Sequence, residues 1–585
     1  MNTQITNYRK QCDDIAANSD NLPQAQRLHK LFEIEWAYRM ASYPEEATYH
    51  GYSGHNDRWT DLSTEAIESR KGDIAHTLKT LETFDRDKLD DDDRLSYDIF
   101  HYILTDNITA GSFSPELLPL SQLEGPHINA PEILNLMPMT TLAHGNDAMA
   151  RLEAVPALIR QTIELMKTGL AKGLVHPHIT LRDVPKQIST QLDCPVAEAP
   201  MLKFLQNIPK SMPDADRSKL EKDTATIYTG KIISALKELK EFVENVYLPG
   251  CSEAIGCASR PNGRAWYEFL VRSFTTTQMT PDDVFTTGEQ EVARIHAEME
   301  QTVKDADFKG SFEEFTKFLQ TDPQFFFTER EDLVREYRNI SKRADPELIK
   351  LFGKLPTLPY GVIPIAEYME KSQTTAYYQP GSPTAGRPGY YYVNTYAVET
   401  RPKWEMEALS LHEAVPGHHL QIAIAQELTH LPAFRRHQWI TSYGEGWALY
   451  SESLGTEMGF FTDPYSRFGQ LAYQMWRATR LIVDVGLHYK GWSRRQAIDY
   501  MVANTGKSEH DITVEVDRYL IWPGQAVAYK IGELCISRLR QLAAETLGEK
   551  LDLRQFHDEI LTHGPMQLDI LEKRIKDWVA GQSGR

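Results

Sequence analysis

Residues 411 to 421 read Leu-His-Glu-Ala-Val-Pro-Gly-His-His-Leu-Gln, so a His-Glu pair, His412 and Glu413, stands shortly before a second pair, His418 and His419. About thirty residues on, Gly444 to Glu452 spell Gly-Glu-Gly-Trp-Ala-Leu-Tyr-Ser-Glu, in which Glu445 offers a carboxylate on a second helical stretch. Two imidazoles and one carboxylate make the ligand set of a catalytic zinc, because three protein ligands leave a fourth position open to water. The ion draws the pKa of that water towards ~7, and a neighbouring carboxylate that is not a ligand takes the proton as the water attacks a carbonyl. Glu413, next to the first His, suits the base role. The expected cofactor is one Zn2+ per chain.

The spacing departs from the usual helical spelling HExxH, which puts two His at i and i+4 on one face. Counted from His412, the next His residues fall at i+6 and i+7. On a straight helix they lie ~9 to 10 Å further along the axis, too far to share a zinc with bonds of ~2.0 Å. The helix must bend, and Pro416-Gly417 supply the means: Pro removes an intrahelical hydrogen bond, Gly tolerates unusual dihedrals, and a π-bulge here can swing His418 back to the metal. Either His418 or His419 is then the second ligand.

His-Glu-Ala-Val-Pro-Gly-His-His-Leu-Gln (412 to 421), Tyr-Gly-Glu-Gly-Trp-Ala-Leu-Tyr-Ser-Glu (443 to 452) and Pro-Gly-Gln-Ala-Val-Ala-Tyr-Lys-Ile-Gly-Glu (523 to 533) together resemble a bacterial family catalogued as domain of unknown function 885, usually placed among zincin-like peptidases. Arg480 to His488, Gly491-Trp492 and Pro44 to Gly51 extend the resemblance along nearly the whole chain. Gly444 to Glu452 also looks like the Asn-Glu-Gly-Phe-Ala-x-Tyr-x-Glu segment of the aminopeptidase N family. That likeness implies Glu445 as third zinc ligand and Glu452 as a residue supporting the ligands. Zinc peptidases whose second His follows a Gly favour His418 over His419 by the same kind of likeness. Tyr529 lies in a family-like motif downstream of all ligands, where related peptidases often place a Tyr or His, and is the first candidate for oxyanion donor; Tyr519 and His488 are alternatives.

Elements around the site follow from pattern. Gly389 to Tyr396 is aromatic and β-branched behind Pro388 and reads as a strand, with shorter candidates at Tyr360 to Ile365 and Ala376 to Gln379. A small antiparallel sheet beside the His-Glu helix is expected. By likeness to thermolysin-like enzymes, an edge strand would pair with substrate backbone. Period-two geometry puts Tyr390, Tyr392 and Asn394 on one face and Tyr391, Val393 and Thr395 on the other, so Tyr392 and Asn394 join the substrate-contact candidates. Arg518, Arg480 and Lys530 are candidates for binding a substrate carboxylate, which would favour a carboxypeptidase or dipeptidase.

The rest of the chain reads as helix, with apolar residues three and four apart over Pro23 to Met40, Glu65 to Phe84, Ala148 to Lys172, Pro281 to Lys304 and, after Glu445, Arg467 to Tyr489 and Gly524 to Glu545. Ser63, Thr280 and Ser311 offer cap-like starts. Asp90 to Asp93 lacks the alternation and Gly of a calcium loop and reads as a solvated helix start. His176-Pro177-His178 reads as a loop rather than a second metal site.

A net charge of −19 argues against nucleic acid or anionic membrane as partner, since phosphate binding needs a basic surface. No run of eighteen apolar residues occurs, and five dispersed cysteines form no CxxC unit. The start, Met-Asn-Thr-Gln-Ile-Thr, has no apolar core. A cytoplasmic location is expected as written, and export or lipid anchoring if a signal segment precedes it.

The expected architecture is a mainly α zincin-like fold. An N-terminal helical part (1 to 350) covers a cleft or channel, and a catalytic part (351 to 585) carries the small sheet, the His-Glu helix and C-terminal helices. The expected activity is zinc-dependent hydrolysis of peptide bonds in short peptides. The alternatives are a non-catalytic peptide or small-ligand binding protein on the same fold, and a zinc hydrolase of non-peptide amides or esters.

Overall fold

A computed structural model describes residues 3–18, 20–365, 370, 374–384 and 386–583. It is mainly helical, with one small sheet. Two compact units are formed, one of Met1–Arg264 with Pro432–Phe434, the other of Ala265–Leu431 with Arg435–Arg585. Residues 265–350, which the sequence reading put with the N-terminal part, therefore fall in the second unit.

Backbone groups at helix starts are satisfied where the sequence provides acceptors. Ser63 accepts from the Ala66 amide, while Thr280 with Asp283 and Ser311 with Glu314 close reciprocal capping boxes. Asp90 accepts from the Asp93 amide, so the acidic run opens a helix and its negative charge complements the helix dipole. In the first unit the helix Leu142–Lys172 buries Ala148, Leu152, Val155, Ile159, Ile163 and Met166 along one stripe, the centre of that unit's core. His176 is buried there with Nε2 against the Leu118 carbonyl, and burial pushes it down to about 3, so it is a neutral structural ring.

The second unit contains every residue singled out for chemistry. Its elements near the site are β1 (Tyr360–Pro364), β2 (Ala376–Gln379) and β3 (Gly389–Val393), then α1 (Met406–Glu413), α2 (His418–Glu427), α3 (Thr441–Ser453), α4 (Pro464–His488), α5 (Glu509–Ile521) and α6 (Ala528–Leu547). The helix Pro281–Asp305 packs on α4 so closely that a Cβ on Gly288 would lie 2.8 Å from Leu481 and Ile482. That contact explains why residues before 350 belong to this unit.

The sheet order is β1-β3-β2, with β3 central. β2 pairs antiparallel to β3, but β1 runs parallel to it, so the sheet is mixed rather than antiparallel throughout. The connection from β1 to β3 is long enough to return the chain in the same direction, and β2 lies within it as the far edge. Alternation holds on β3: Tyr391 and Val393 are buried, Tyr390 and Tyr392 half-buried. Tyr391 packs edge-on against Tyr337, ring centroids 5.6 Å apart.

Candidate metal centre

α1 carries His412 and Glu413 as its last two residues, and the helix ends there outright. Ala414 leaves the helical region (φ −95°, ψ −108°), the Val415–Pro416 peptide is cis, and Gly417 takes φ −77°, ψ −127° before α2 begins at His418. The expected bulge within one helix is thus a break between two. The chain folds back on α1 tightly enough that a Cβ on Gly417 would sit 1.9 Å from the His412 carbonyl oxygen. Only glycine fits such an approach. The turn is tied to α3 by Trp447, whose indole N–H donates to the Pro416 carbonyl at 2.8 Å.

This fold-back returns His418 to His412, their rings perpendicular with centroids 4.8 Å apart. Glu445, in the second turn of α3, faces both: its Oε2 lies 3.6 Å from His412 Nε2 and 3.4 Å from His418 Nε2. That oxygen is buried and has no hydrogen-bond partner. These separations match an ion's ligand shell, since ligand atoms on a tetrahedral ion with ~2.0 to 2.1 Å bonds lie roughly 3.3 Å apart. Among the described residues, His412, His418 and Glu445 are the one group so placed, their ligand atoms within 4.8 Å of one another.

His419 goes elsewhere. Its Nδ1 is hydrogen-bonded to the Tyr378 hydroxyl at 2.8 Å, and its ring packs at a tilt against Tyr360, centroids 4.6 Å apart, so it joins α2 to the sheet. Burial pushes it down to about 4, which keeps it neutral. Tyr378 reaches it across Gly389, where any Cβ would fall 2.2 Å from the tyrosine oxygen.

Glu452, two turns after Glu445 on α3, is fully buried and accepts from His412 Nδ1 at 2.8 Å. A carboxylate can only accept, so the proton sits on Nδ1 and Nε2 is left to bind a cation. Burial alone would depress His412, but the Glu445 and Glu452 carboxylates outweigh it and push the imidazole up to about 9. Burial would likewise raise Glu445, yet the facing His418 and His412 rings hold it well below the usual carboxylate range. The same negative charge that favours a proton on this imidazole favours any cation placed between the three groups. Glu413 is buried beside His412 and, among the described residues, has no hydrogen-bond or ion-pair partner, so its carboxylate is not committed to another group.

α3 and α6 cross at Gly446 and Gly532: a Cβ on Gly446 would lie 2.6 Å from the Gly532 backbone, and one on Gly532 1.9 Å from the Ser442 carbonyl. Tyr529 stands one turn before Gly532, and burial, then the Glu445 charge, raise its hydroxyl above the usual tyrosine range. Tyr519 is buried, with its hydroxyl bonded to Glu515 and Arg480, so it is committed to that cluster. His488 Nε2 donates to the Tyr519 carbonyl at 3.0 Å and steadies α5. Arg518 pairs with Glu515, and Lys530, fully buried, is matched by Glu291 and Glu533, so the geometry gives Lys530 no role at the centre.

On the sheet, Asn394 uses its amide to hold the carbonyls of Glu370 and Thr374 and accepts from the Tyr396 N–H. It orders the loop after β3 and is not gathered into the cluster. Tyr392 stacks on Tyr377 at 4.9 Å, across the strand pair. Trp439 escaped the sequence reading: it is 44 % exposed, 5.8 Å from the His418 ring, and lies over Gly444, where a Cβ would meet it at 2.5 Å. The signal was there in the small residue that opens the Gly-Glu-Gly run, whose partner lay outside the motif.

No helix among the described residues is long and apolar enough to cross a membrane. Among solved structures, the chain is similar to one named as a candidate lipoprotein from Colwellia psychrerythraea, with a TM-score of 0.91 at 25% identity over 96% of this chain and 100% of that one. It is also similar in fold to a candidate lipoprotein of unknown function from Shewanella oneidensis, with a TM-score of 0.68 at 17% identity over 94% and 99% of the two chains. No curated protein matches it. A family model described as bacterial protein of unknown function (DUF885) matches residues 44–575, and over that span, which holds every residue of the candidate centre, the chain belongs to the DUF885 family.

Proposed function

We propose that the protein is a zinc-dependent hydrolase that cleaves peptide bonds in short peptides, on a zincin-like fold. His412, His418 and Glu445 would hold the ion, and Glu452 fixes the His412 tautomer. Zinc bound there would acidify water and polarise the scissile carbonyl. Glu413 accepts the proton of the attacking water and returns it to the leaving nitrogen. Tyr529, kept protonated by burial and by the Glu445 charge, donates to the oxyanion that develops as the carbonyl is attacked. The observation that carries the reading is Glu445 Oε2, buried without a hydrogen bond between two imidazole nitrogens, with the unpartnered Glu413 alongside. The solved relatives named as candidate lipoproteins support export or lipid anchoring as its setting.

Metal analysis after zinc-supplemented purification and digestion of a mixed peptide library, read by mass spectrometry, test the reading together. One zinc per chain and chelator-sensitive cleavage are expected. Less than about half an equivalent of zinc, or peptide binding without turnover, overturns it. Glu413→Gln should retain zinc and lose activity by ~10² or more, the usual worth of a general base.

A further inference from the structure

Beside the candidate centre lies a buried cluster with more positive than negative charge. Arg480 on α4 and Arg518 on α5 share a single carboxylate, Glu515: Arg480 Nη2 donates to Oε1 at 2.5 Å, and Arg518 donates to Oε1 at 2.8 Å and Oε2 at 3.1 Å. Oε1 also accepts from the Tyr519 hydroxyl at 3.1 Å and the Trp476 indole at 3.3 Å, so that carboxylate is saturated. Arg480 is 6% exposed, and its Nη1 is buried with no hydrogen-bond partner. Asp484, a further buried acid on α4, forms no ion pair with either arginine: its Oδ1 accepts from Tyr267 and from the Gly524 N–H, and burial raises it above the usual carboxylate range. Lys530, also buried, is by contrast matched by two carboxylates, Glu291 and Glu533. The surplus at the arginine pair stands out in a chain of net charge −19.

The position of the surplus gives it meaning. The Arg480 guanidinium lies 4.5 Å over the Tyr529 ring, and the Tyr529 hydroxyl feels the charge of Glu445, so one aromatic ring separates the arginines from the candidate metal ligand. Arg518, with 18% of its side chain exposed, is the accessible member, and its Nη1 donates to the neutral side-chain amide oxygen Oε1 of Gln525 at 2.8 Å. An anion arriving there would replace a neutral acceptor with a charged one, the stronger partner for a guanidinium.

We propose that Arg518 and Arg480, beside Tyr529, receive a carboxylate of the substrate, and that this carboxylate is the free C-terminus of the peptide. This rests on the hydrolase reading above and deepens it to a C-terminal exopeptidase. Hydrolysis then adds the water's oxygen to the carbonyl carbon and, through Glu413, its proton to the leaving nitrogen, which releases a fragment bearing the bound carboxylate and a new amine. The arginines bind and position the peptide, while the bond-making groups remain those of the centre.

The test compares three versions of one short peptide: free acid, C-terminal amide, and the amide carrying a Glu as last residue. Zinc-loaded wild type should cleave the free acid with kcat/KM about tenfold to a hundredfold above the plain amide, the worth of a charge-assisted hydrogen bond. Cleavage of the Glu-containing amide as fast as the free acid would show a side-chain carboxylate to be the one received and would overturn the C-terminal assignment. Arg518→Gln leaves Arg480 and Glu515 as a one-to-one pair and should fold. Its KM for the free acid should rise to that of the amide, with the amide unchanged and with Arg518→Lys restoring part of the preference. A merely structural role would lower both rates together, and that result, or equal cleavage of acid and amide by wild type, overturns the proposal. If no peptide is cleaved, the hydrolase reading falls, and calorimetric titration of the same peptides decides the carboxylate site alone: tighter binding of the free acid, lost in Arg518→Gln, supports it, and equal binding refutes it.

Discussion

Gly417→Ala is the sharpest single perturbation of the centre. The added methyl would be placed 1.9 Å from the His412 carbonyl oxygen and 2.5 Å from both the His412 carbonyl carbon and the Leu411 oxygen, against the 3.0 Å that real contacts respect. All three atoms are backbone, so no side chain can swing aside, and α1 and α2 must separate by about an ångström. His412 lies one residue from the end of α1 and His418 begins α2, so that separation falls directly between two of the proposed ligands. A displacement of this size costs on the order of 10² in activity, and overpacking adds about 1 to 3 kcal/mol of instability. Zinc content after dialysis against a weak chelator and the thermal midpoint are the measurements. Gly581→Ala, where nothing lies within 4 Å of the new Cβ on the last helix, is the control and should leave both unchanged. A Gly417→Ala protein with full zinc and an unshifted midpoint would refute the idea that the fold-back assembles the site.

Three further outcomes follow from the same geometry. His418→Ala should strip most of the zinc, whereas His419→Ala should keep it and lose stability through the broken Tyr378 contact; retention patterns the other way round, by metal analysis, would reassign the second ligand. Glu452→Gln should weaken zinc binding about 10- to 100-fold, as loss of an orienting carboxylate does, and an unchanged affinity by competition titration would remove Glu452 from that role. Asp484 has a native pKa raised by burial from 3.8 to about 7, so the native state binds the extra proton and stability falls as pH rises from about 4 through 7. Asp484→Asn keeps an acceptor for Tyr267 and the Gly524 amide, so its stability relative to wild type in urea should climb by a few kcal/mol across that window and level off above it; a difference flat with pH would contradict the buried-acid account.

Much of the scaffold was legible because helices are local objects. Capping boxes at Thr280 and Ser311 and the apolar stripe of Leu142–Lys172 are properties of neighbouring residues. The site was legible as an inventory: His412, Glu413, a His pair and Glu445 suggested a ligand set, and likeness to zinc peptidases whose second His follows a Gly favoured His418. The direction of β1 was not legible, since a strand's pattern carries no information about which way its partner runs, and the sheet proved mixed. Asn394 and Tyr392 shared the expected face, but the amide of Asn394 was taken by carbonyls of residues far from it in sequence.

Residue types and spacing by themselves determined that two imidazoles and a carboxylate were present on helical stretches, that a straight helix could not join them, and that the chain must bend at Pro416-Gly417. Only the tertiary structure decided what the break did. Helical phase fixes where a side chain points as long as the helix is continuous, and it is lost at Glu413, where α1 stops. Beyond that residue, orientation is set by packing: the Trp447 indole holds the Pro416 carbonyl, His412 closes on Gly417, and Tyr378 claims His419 for the sheet. The surplus charge of Arg480 and Arg518 likewise emerges only when α4, α5 and α6 meet, because charge balance is a property of space and not of sequence.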